Sequence, residues 1–120
     1  SMAGIGVLDY IKEHNLMENA RERGQQLCDG LAELQKKHPI IGDIRGLGLM
    51  REAEFVHADK SPAAEELDRV LEAMKDRGFI IGKNGVARNV MAFQPPLVIT
   101  AADIDNVLNN LEDVLTELGY

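Results

Sequence analysis

The sequence predicts an α+β fold, with about four strands in one sheet and helices packed on a face of that sheet. Apolar residues recur every three or four positions at the start, in the middle and at the end of the chain, which is the helical period. Between these stretches, residues 40–56 and 79–93 carry the alternation and the short apolar runs that are typical of strands. Helices that precede, separate and follow paired strands can cover one side of a single sheet.

Composition limits the classes of protein to consider. The chain has 120 residues, 45% hydrophobic and 28% charged, as in an ordinary globular protein. Residues 3–120 are predicted to form one domain, and Ser1 and Met2 are interpreted as a cloning scar. The formal charge of -7, with basic residues interleaved among acidic ones, predicts no nucleic-acid partner. No apolar run approaches a membrane span, so we expect no membrane partner. A lone cysteine, Cys28, fits a reducing compartment and a cytoplasmic location.

The first third of the chain predicts two successive helices. Ile5, Leu8 and Ile11 share one face of a short helix over residues 4–13. Asn15 then resembles a new helix cap, with Glu18 three residues later as a capping box requires. The second helix would turn these residues inward: Leu16, Ala20, Leu27, Leu31 and Leu34. Pro39 would end it.

The middle of the chain predicts a pair of strands and a third helix. Glycines 46 and 48 suggest a tight turn or bulge between strands near 40–45 and 48–56. Ser61 is the expected cap of the next helix, which Pro62 would open and Gly78 would end.

The last third predicts two more strands and a final helix. Segments 79–82 (FIIG) and 89–93 (NVMAF) are the expected strands. Pro95 and Pro96 cannot donate to a strand ladder, so they should end the second of them. Thr100 should cap the final helix, which carries a wide apolar stripe.

No local motif indicates a catalytic centre. The three histidines have no spacing that would converge on a metal, and the serines are limited to Ser1 and Ser61, which leaves no nucleophile for a Ser-His-Asp arrangement. The G-x-G at Gly46 and the lysine between glycines at Lys83 both lack the pattern of a phosphate loop.

Longer segments resemble a known family. HPIIGDIRGLGLMREAEFV (38–56), RGFIIGKNG (77–85) and NVMAFQPPLVITAADID (89–105), in this order, are similar to the C-terminal small domain of class III, fold-type I aminotransferases. The resemblance implies a parent enzyme that transfers an amino group from an amine or omega-amino acid to a keto acid, with pyridoxal phosphate as cofactor and a homodimeric assembly. In that family the cofactor forms a Schiff base with a lysine of a preceding large domain.

The resemblance assigns no catalytic or cofactor-binding residue to this chain. All six lysines lie in segments that match the small domain, so we expect no cofactor on this chain alone. The missing large domain is then its partner, and the chain is a fragment of a longer enzyme or the product of a truncated gene. The alternatives are a self-contained interaction or regulatory module descended from that domain, or a small enzyme with a site of its own.

The chain departs from the family pattern at two places, one on the substrate side and one in the second strand. Many members have an arginine that grips the substrate carboxylate where this chain has Ala92, so Ala92 is a candidate substrate-facing position. Arg88, four residues upstream, is the nearest cation in the sequence and the second candidate. Arg51 and Glu52 replace an apolar residue and a glycine, which leaves the burial of their strand open.

Overall fold

The computed structural model describes the backbone of residues 2–120 and the side chains of residues 12–120. Its elements run in the order α1 (Met2–Lys37), β1 (Ile41–Leu47), β2 (Met50–Phe55), α2 (Ala64–Asp76), β3 (Gly82–Asn84), β4 (Val90–Phe93) and α3 (Ala101–Leu118). The predicted α+β class is confirmed. Within the described residues, no helix combines the length and the apolar character needed to cross a membrane.

The four strands form one antiparallel sheet in the order β1-β2-β4-β3. β1 and β2 are joined by a tight hairpin in which Leu47 pairs with Met50. Gly48 in this turn has a φ of 55°, a left-handed conformation that glycine adopts without steric cost. The predicted turn between the first two strands is therefore confirmed, and a bulge lies between Ile41 and Ile44.

The hydrophobic core lies between one face of the sheet and the helices. The sheet contributes Ala53, Phe55, Met91 and Phe93, which are at most 5% exposed. The helices contribute the fully buried side chains Leu27, Leu31, Leu67, Val70, Met74, Ile104, Leu111, Val114 and Leu115. Full burial of each large apolar side chain stabilises the fold by about 1.5–3 kcal/mol, so this layer is the main source of stability.

The prediction of two helices before the first strand is wrong, because α1 is one helix of 36 residues. Asn15 and Glu18 lie inside it and do not cap a second helix. No proline or glycine stands between residues 7 and 23, and an exposed asparagine costs a helix interior less than about 1 kcal/mol, so the helix continues. The predicted inward residues of segment 4–13 lie outside the described side chains, whereas Leu27, Leu31 and Leu34 are buried as expected.

Two further boundaries differ from the prediction. The N-cap of α2 is Ala63, without a side-chain bond, because the Ser61 hydroxyl donates instead to the Asp59 carboxylate. The third strand begins at Gly82 rather than at residue 79. Phe79 is held by the end of α2, since its N–H donates to the Met74 carbonyl at 2.9 Å, so it does not join the sheet.

The link from β4 to α3 follows the sequence prediction. β4 ends at Phe93, before the two prolines. The Thr100 hydroxyl accepts from the N–H of Asp103 at 3.1 Å, and the Asp103 carboxylate accepts from the N–H of Thr100 at 3.1 Å. This reciprocal capping box fixes where α3 begins.

Candidate functional site

The sheet face opposite the core, which we call the open face, is the candidate functional surface. Because side chains alternate along a strand, the residues between the core positions of β2 and β4 point to this face. They are Glu52, Glu54, Val90 and Ala92. No helix of the described chain packs over the rim of this face, where Leu47, Met50 and Ile80 are 87%, 59% and 85% exposed. The open face therefore combines buried strand residues with an exposed apolar rim.

Ala92 lies in the middle of the open face. It pairs with Glu52 of β2 on one side and with Gly82 of β3 on the other, and Glu52 in turn pairs with Arg45 of β1. These four residues form a row across the four strands, which we call the Ala92 row. Directly opposite residues have Cβ atoms about 5 Å apart, so members of the row are within contact distance of their neighbours.

A shallow hollow adjoins Ala92 on the β3 side. Its lining residues are Ile80, Gly82, Lys83, Asn84, Ala92 and Gln94. Ala92 is only 6% exposed, because neighbouring strands flank its short side chain. A larger side chain at this position would project into the hollow, since the opposite residue, Gly82, has no side chain to fill it.

Arg88 lies apart from Ala92. It is exposed in the turn between β3 and β4, where its φ is 58° and its N–H donates to the Gly85 carbonyl at 3.1 Å. Four residues of extended chain span about 13 Å, and Arg88 does not line the hollow beside Ala92. A role of either residue in substrate binding stays a prediction.

The positively charged side chains around Ala92 all have partners in the structure. Arg45 pairs with Asp43 at 3.2 Å, and Lys83 pairs with Asp68. Arg51 points away into its own hairpin, where it donates to the carbonyls of Gly48 and Gly46 at 2.9 and 3.3 Å.

Glu52 is the carboxylate beside Ala92. It is half-buried and makes no hydrogen bond or ion pair with any described residue. Glu52 departs from the family pattern in the sequence, but only the pairing of β2 with β4 brings it next to Ala92. The alternation of residues 50–55 indicates which face of β2 carries Glu52. It does not indicate which strand pairs with β2, so the sequence could not place Glu52 beside Ala92.

No cluster of metal ligands and no enclosed lysine is found among the described residues. No group of three His, Cys, Asp or Glu residues there could hold a metal ion. Five of the six lysines are exposed and the sixth, Lys83, is committed to Asp68, so none fits a lysine that carries a cofactor in an enclosed site. The expectation that no cofactor binds this chain alone stays a prediction.

The groups with shifted pKa values lie away from the hollow. Hydrogen bonds from the hydroxyl and the N–H of Ser61 lower the pKa of Asp59 below its usual value. A hydrogen bond with the Tyr120 hydroxyl, at 2.9 Å, raises the pKa of Arg69. Neither Asp59 nor Arg69 lines the hollow, so their shifts reflect local structure.

Comparison with known proteins gives a consistent set of relatives. The family model described as aminotransferase class-III matches residues 1–115. The chain is 38% identical over 118 residues to alanine–glyoxylate aminotransferase 2 homolog 2, mitochondrial, of Arabidopsis thaliana, covering 97% of this chain and 25% of that protein. It is 36% identical over 121 residues to taurine–pyruvate aminotransferase of Bilophila wadsworthia, covering 95% of this chain and 26% of that protein. The chain thus spans about a quarter of the length of these relatives.

Solved structures resemble the chain in fold as well. An aminotransferase from Bacillus anthracis superposes with a TM-score of 0.82 at 33% identity, covering 94% of this chain and 27% of that one. A phospholyase from Arthrobacter, in complex with phosphoethanolamine, superposes with a TM-score of 0.84 at 29% identity, covering 95% and 28%.

Proposed function

Because this chain belongs to the class III aminotransferase family, we propose that it is the substrate-side small domain of a longer pyridoxal-phosphate-dependent enzyme. That enzyme would transfer an amino group from an amine or omega-amino acid to a keto acid. The observation that supports this most is the match over residues 1–115 to proteins of which the chain covers only about a quarter.

The open face gives the proposed domain its partner surface. Its exposed apolar rim, with Leu47, Met50 and Ile80, is the kind of surface that a protein buries against another domain. The remaining polypeptide would supply the cofactor lysine, and the complete enzyme would be a homodimer, as the family implies. The chain alone is therefore expected to be inactive, and its cytoplasmic location stays a prediction.

The identity of residue 92 bears on the substrate. An arginine that pairs with a carboxylate makes a strong, charge-assisted contact, and alanine offers no such contact. We infer that the enzyme favours donors without a carboxylate at this end, namely amines, diamines or aminosulfonates, unless the large domain holds the carboxylate. A relative named for taurine and pyruvate is consistent with a donor of the last kind.

The test uses the complete enzyme with an amine and with the matching alpha-amino acid. Ala92→Arg should shift the preference toward the amino acid by about tenfold, since it restores a charged partner for the carboxylate. Ala92→Arg should also be made together with Glu52→Gln, because Glu52 pairs with position 92 across the strands and would neutralise the new guanidinium. An unchanged preference in the double variant would show that position 92 does not face the substrate. Loss of keto-acid use in Arg88→Ala alone would assign the role to Arg88.

A second experiment separates a fragment from a self-contained protein. The isolated chain is incubated with pyridoxal phosphate, reduced with borohydride and mapped by peptide mass spectrometry. Weak labelling spread over the exposed lysines is expected. Stoichiometric labelling of a single lysine would refute the proposal that the cofactor is held by another part of the enzyme.

A further inference from the structure

The Ala92 row places a carboxylate, Glu52, next to the position where many family members have an arginine. Glu52 is directly opposite Ala92 in the antiparallel pair of β2 and β4, so both side chains leave the sheet on the open face. The strand on the far side of Ala92 offers only Gly82 in the same row. Glu52 adjoins Ala92 on the side away from the hollow, so a molecule that lies over Ala92 on the open face reaches Glu52 as the next charged residue of the row on that side.

Glu52 is available to such a molecule. Its cross-strand neighbour Arg45 is 44% exposed and turns to Asp43, and Lys83, the cation that lines the hollow, is bound to Asp68. A half-buried carboxylate without a partner is stabilised when a cation approaches, and it repels a second carboxylate or a sulfonate. Of the three proposed donor types, Glu52 therefore favours diamines and disfavours aminosulfonates.

We propose that Glu52 is a specificity-determining residue that selects donors with a second positive charge, that is diamines, over amines with an apolar or an anionic tail. The inference rests on the proposed function, because it requires that the open face around Ala92 borders the substrate space. Glu52 would bind the distal ammonium group of the diamine, while the reacting amine lies in the remainder of the enzyme.

The size of the preference follows from the position of Glu52. Two opposite charges about 4 Å apart attract each other weakly in bulk water and several times more strongly near a protein surface. Glu52 is neither fully exposed nor enclosed, so we expect a preference of about tenfold in kcat/KM. Binding of a remote, non-reacting group acts mainly on KM when ground state and transition state are held equally.

The experiment compares donors of equal length on the complete enzyme with one keto acid. The donors are 1,5-diaminopentane, hexylamine, in which a methyl group replaces the distal ammonium, and 5-aminopentanoate. Wild type is expected to use the diamine about tenfold better than hexylamine, and 5-aminopentanoate least well. Glu52→Gln should bring the ratio of diamine to hexylamine close to one, chiefly through a higher KM for the diamine.

Glu54→Gln is the matched control. Glu54 lies two residues along the same strand and on the same face, but it is opposite Val90 rather than Ala92. The Glu54→Gln variant removes the same charge from the same strand and should leave the ratio of diamine to hexylamine near that of wild type. The ratio in wild type should also fall as ionic strength rises, because salt screens an interaction between accessible charges, whereas Glu52→Gln should show no such dependence.

The outcomes distinguish the inference from the proposed function. An enzyme that transaminates hexylamine as well as the diamine, or one in which Glu52→Gln and Glu54→Gln lower the ratio equally, overturns the role of Glu52 and leaves the proposed function standing. An enzyme that transaminates no donor refutes the proposed function and the inference with it.

Discussion

Gly24 of α1 lies in close contact with the turn between β1 and β2. A Cβ atom added there would lie 1.8 Å from the carbonyl oxygen of Gly48 and 2.6 Å from its carbonyl carbon. Both are backbone atoms of the β1–β2 turn, so no side-chain rotation relieves the contact. Gly24→Ala should gain about 1 kcal/mol of helix propensity. Overpacking typically costs about 1–3 kcal/mol, and a clash with backbone atoms belongs at the upper end of that range. After the gain in helix propensity is subtracted, we expect Gly24→Ala to lower the free energy of unfolding by about 2 kcal/mol.

Gly30→Ala, in the same helix, is the matched control for this prediction. Its Cβ would lie 2.2 Å from the Leu108 Cδ1 atom, which is the end of a flexible side chain. Rotation of Leu108 relieves this contact, so the propensity gain should largely offset the cost and leave stability within about 1 kcal/mol of wild type. Urea denaturation of both variants, followed by circular dichroism, measures the difference. A Gly24→Ala protein as stable as wild type would refute the close packing of α1 on the hairpin.

Three smaller changes test local contacts. Thr100→Ala should lower the free energy of unfolding by about 1 kcal/mol, because the α3 cap is lost, while Thr100→Ser should keep it; equal values would refute the cap. Asn89→Ala should cost about 1 kcal/mol in urea denaturation, because the Asn89 amide donates to the buried Phe55 carbonyl at 2.8 Å; no loss would contradict that bond. Ser61→Ala should raise the lowered pKa of Asp59, measured by NMR titration. A lowered carboxyl pKa stabilises the folded state above the unfolded pKa, and this is lost as pH falls through the folded pKa, so Ser61→Ala should weaken that dependence.

Local chemistry made several elements predictable from the sequence. The capping box at Thr100 needs only residues three apart, and the turn at Gly48 needs only a glycine between two alternating segments. The same reasoning from local sequence failed at Asn15. A residue type that favours a cap does not interrupt a helix unless the neighbouring residues also disfavour the helical backbone. The reasoning failed again at Phe79, which the end of α2 holds in place.

The candidate site depended on information that no local pattern contains. Ala92 and its alternation with Met91 were predictable, because side chains alternate in any strand. The neighbour of Ala92 was not, because β4 pairs with β2, about forty residues earlier, and only the register places Glu52 opposite Ala92. A shift by one residue would have put Arg51 or Ala53 there instead of Glu52.

The position of β4 in the sheet has a consequence for how the chain assembles. β4 is the last strand in sequence but lies between β2 and β3, so the hairpin of β1 and β2 cannot join β3 until residues 90–93 arrive. Until then, the inner edges of β2 and β3 present unpaired backbone groups that another chain can pair with. The strand that carries Ala92 is thus also the one that closes the sheet. Truncation before residue 90 should therefore convert a folding chain into one that aggregates edge to edge.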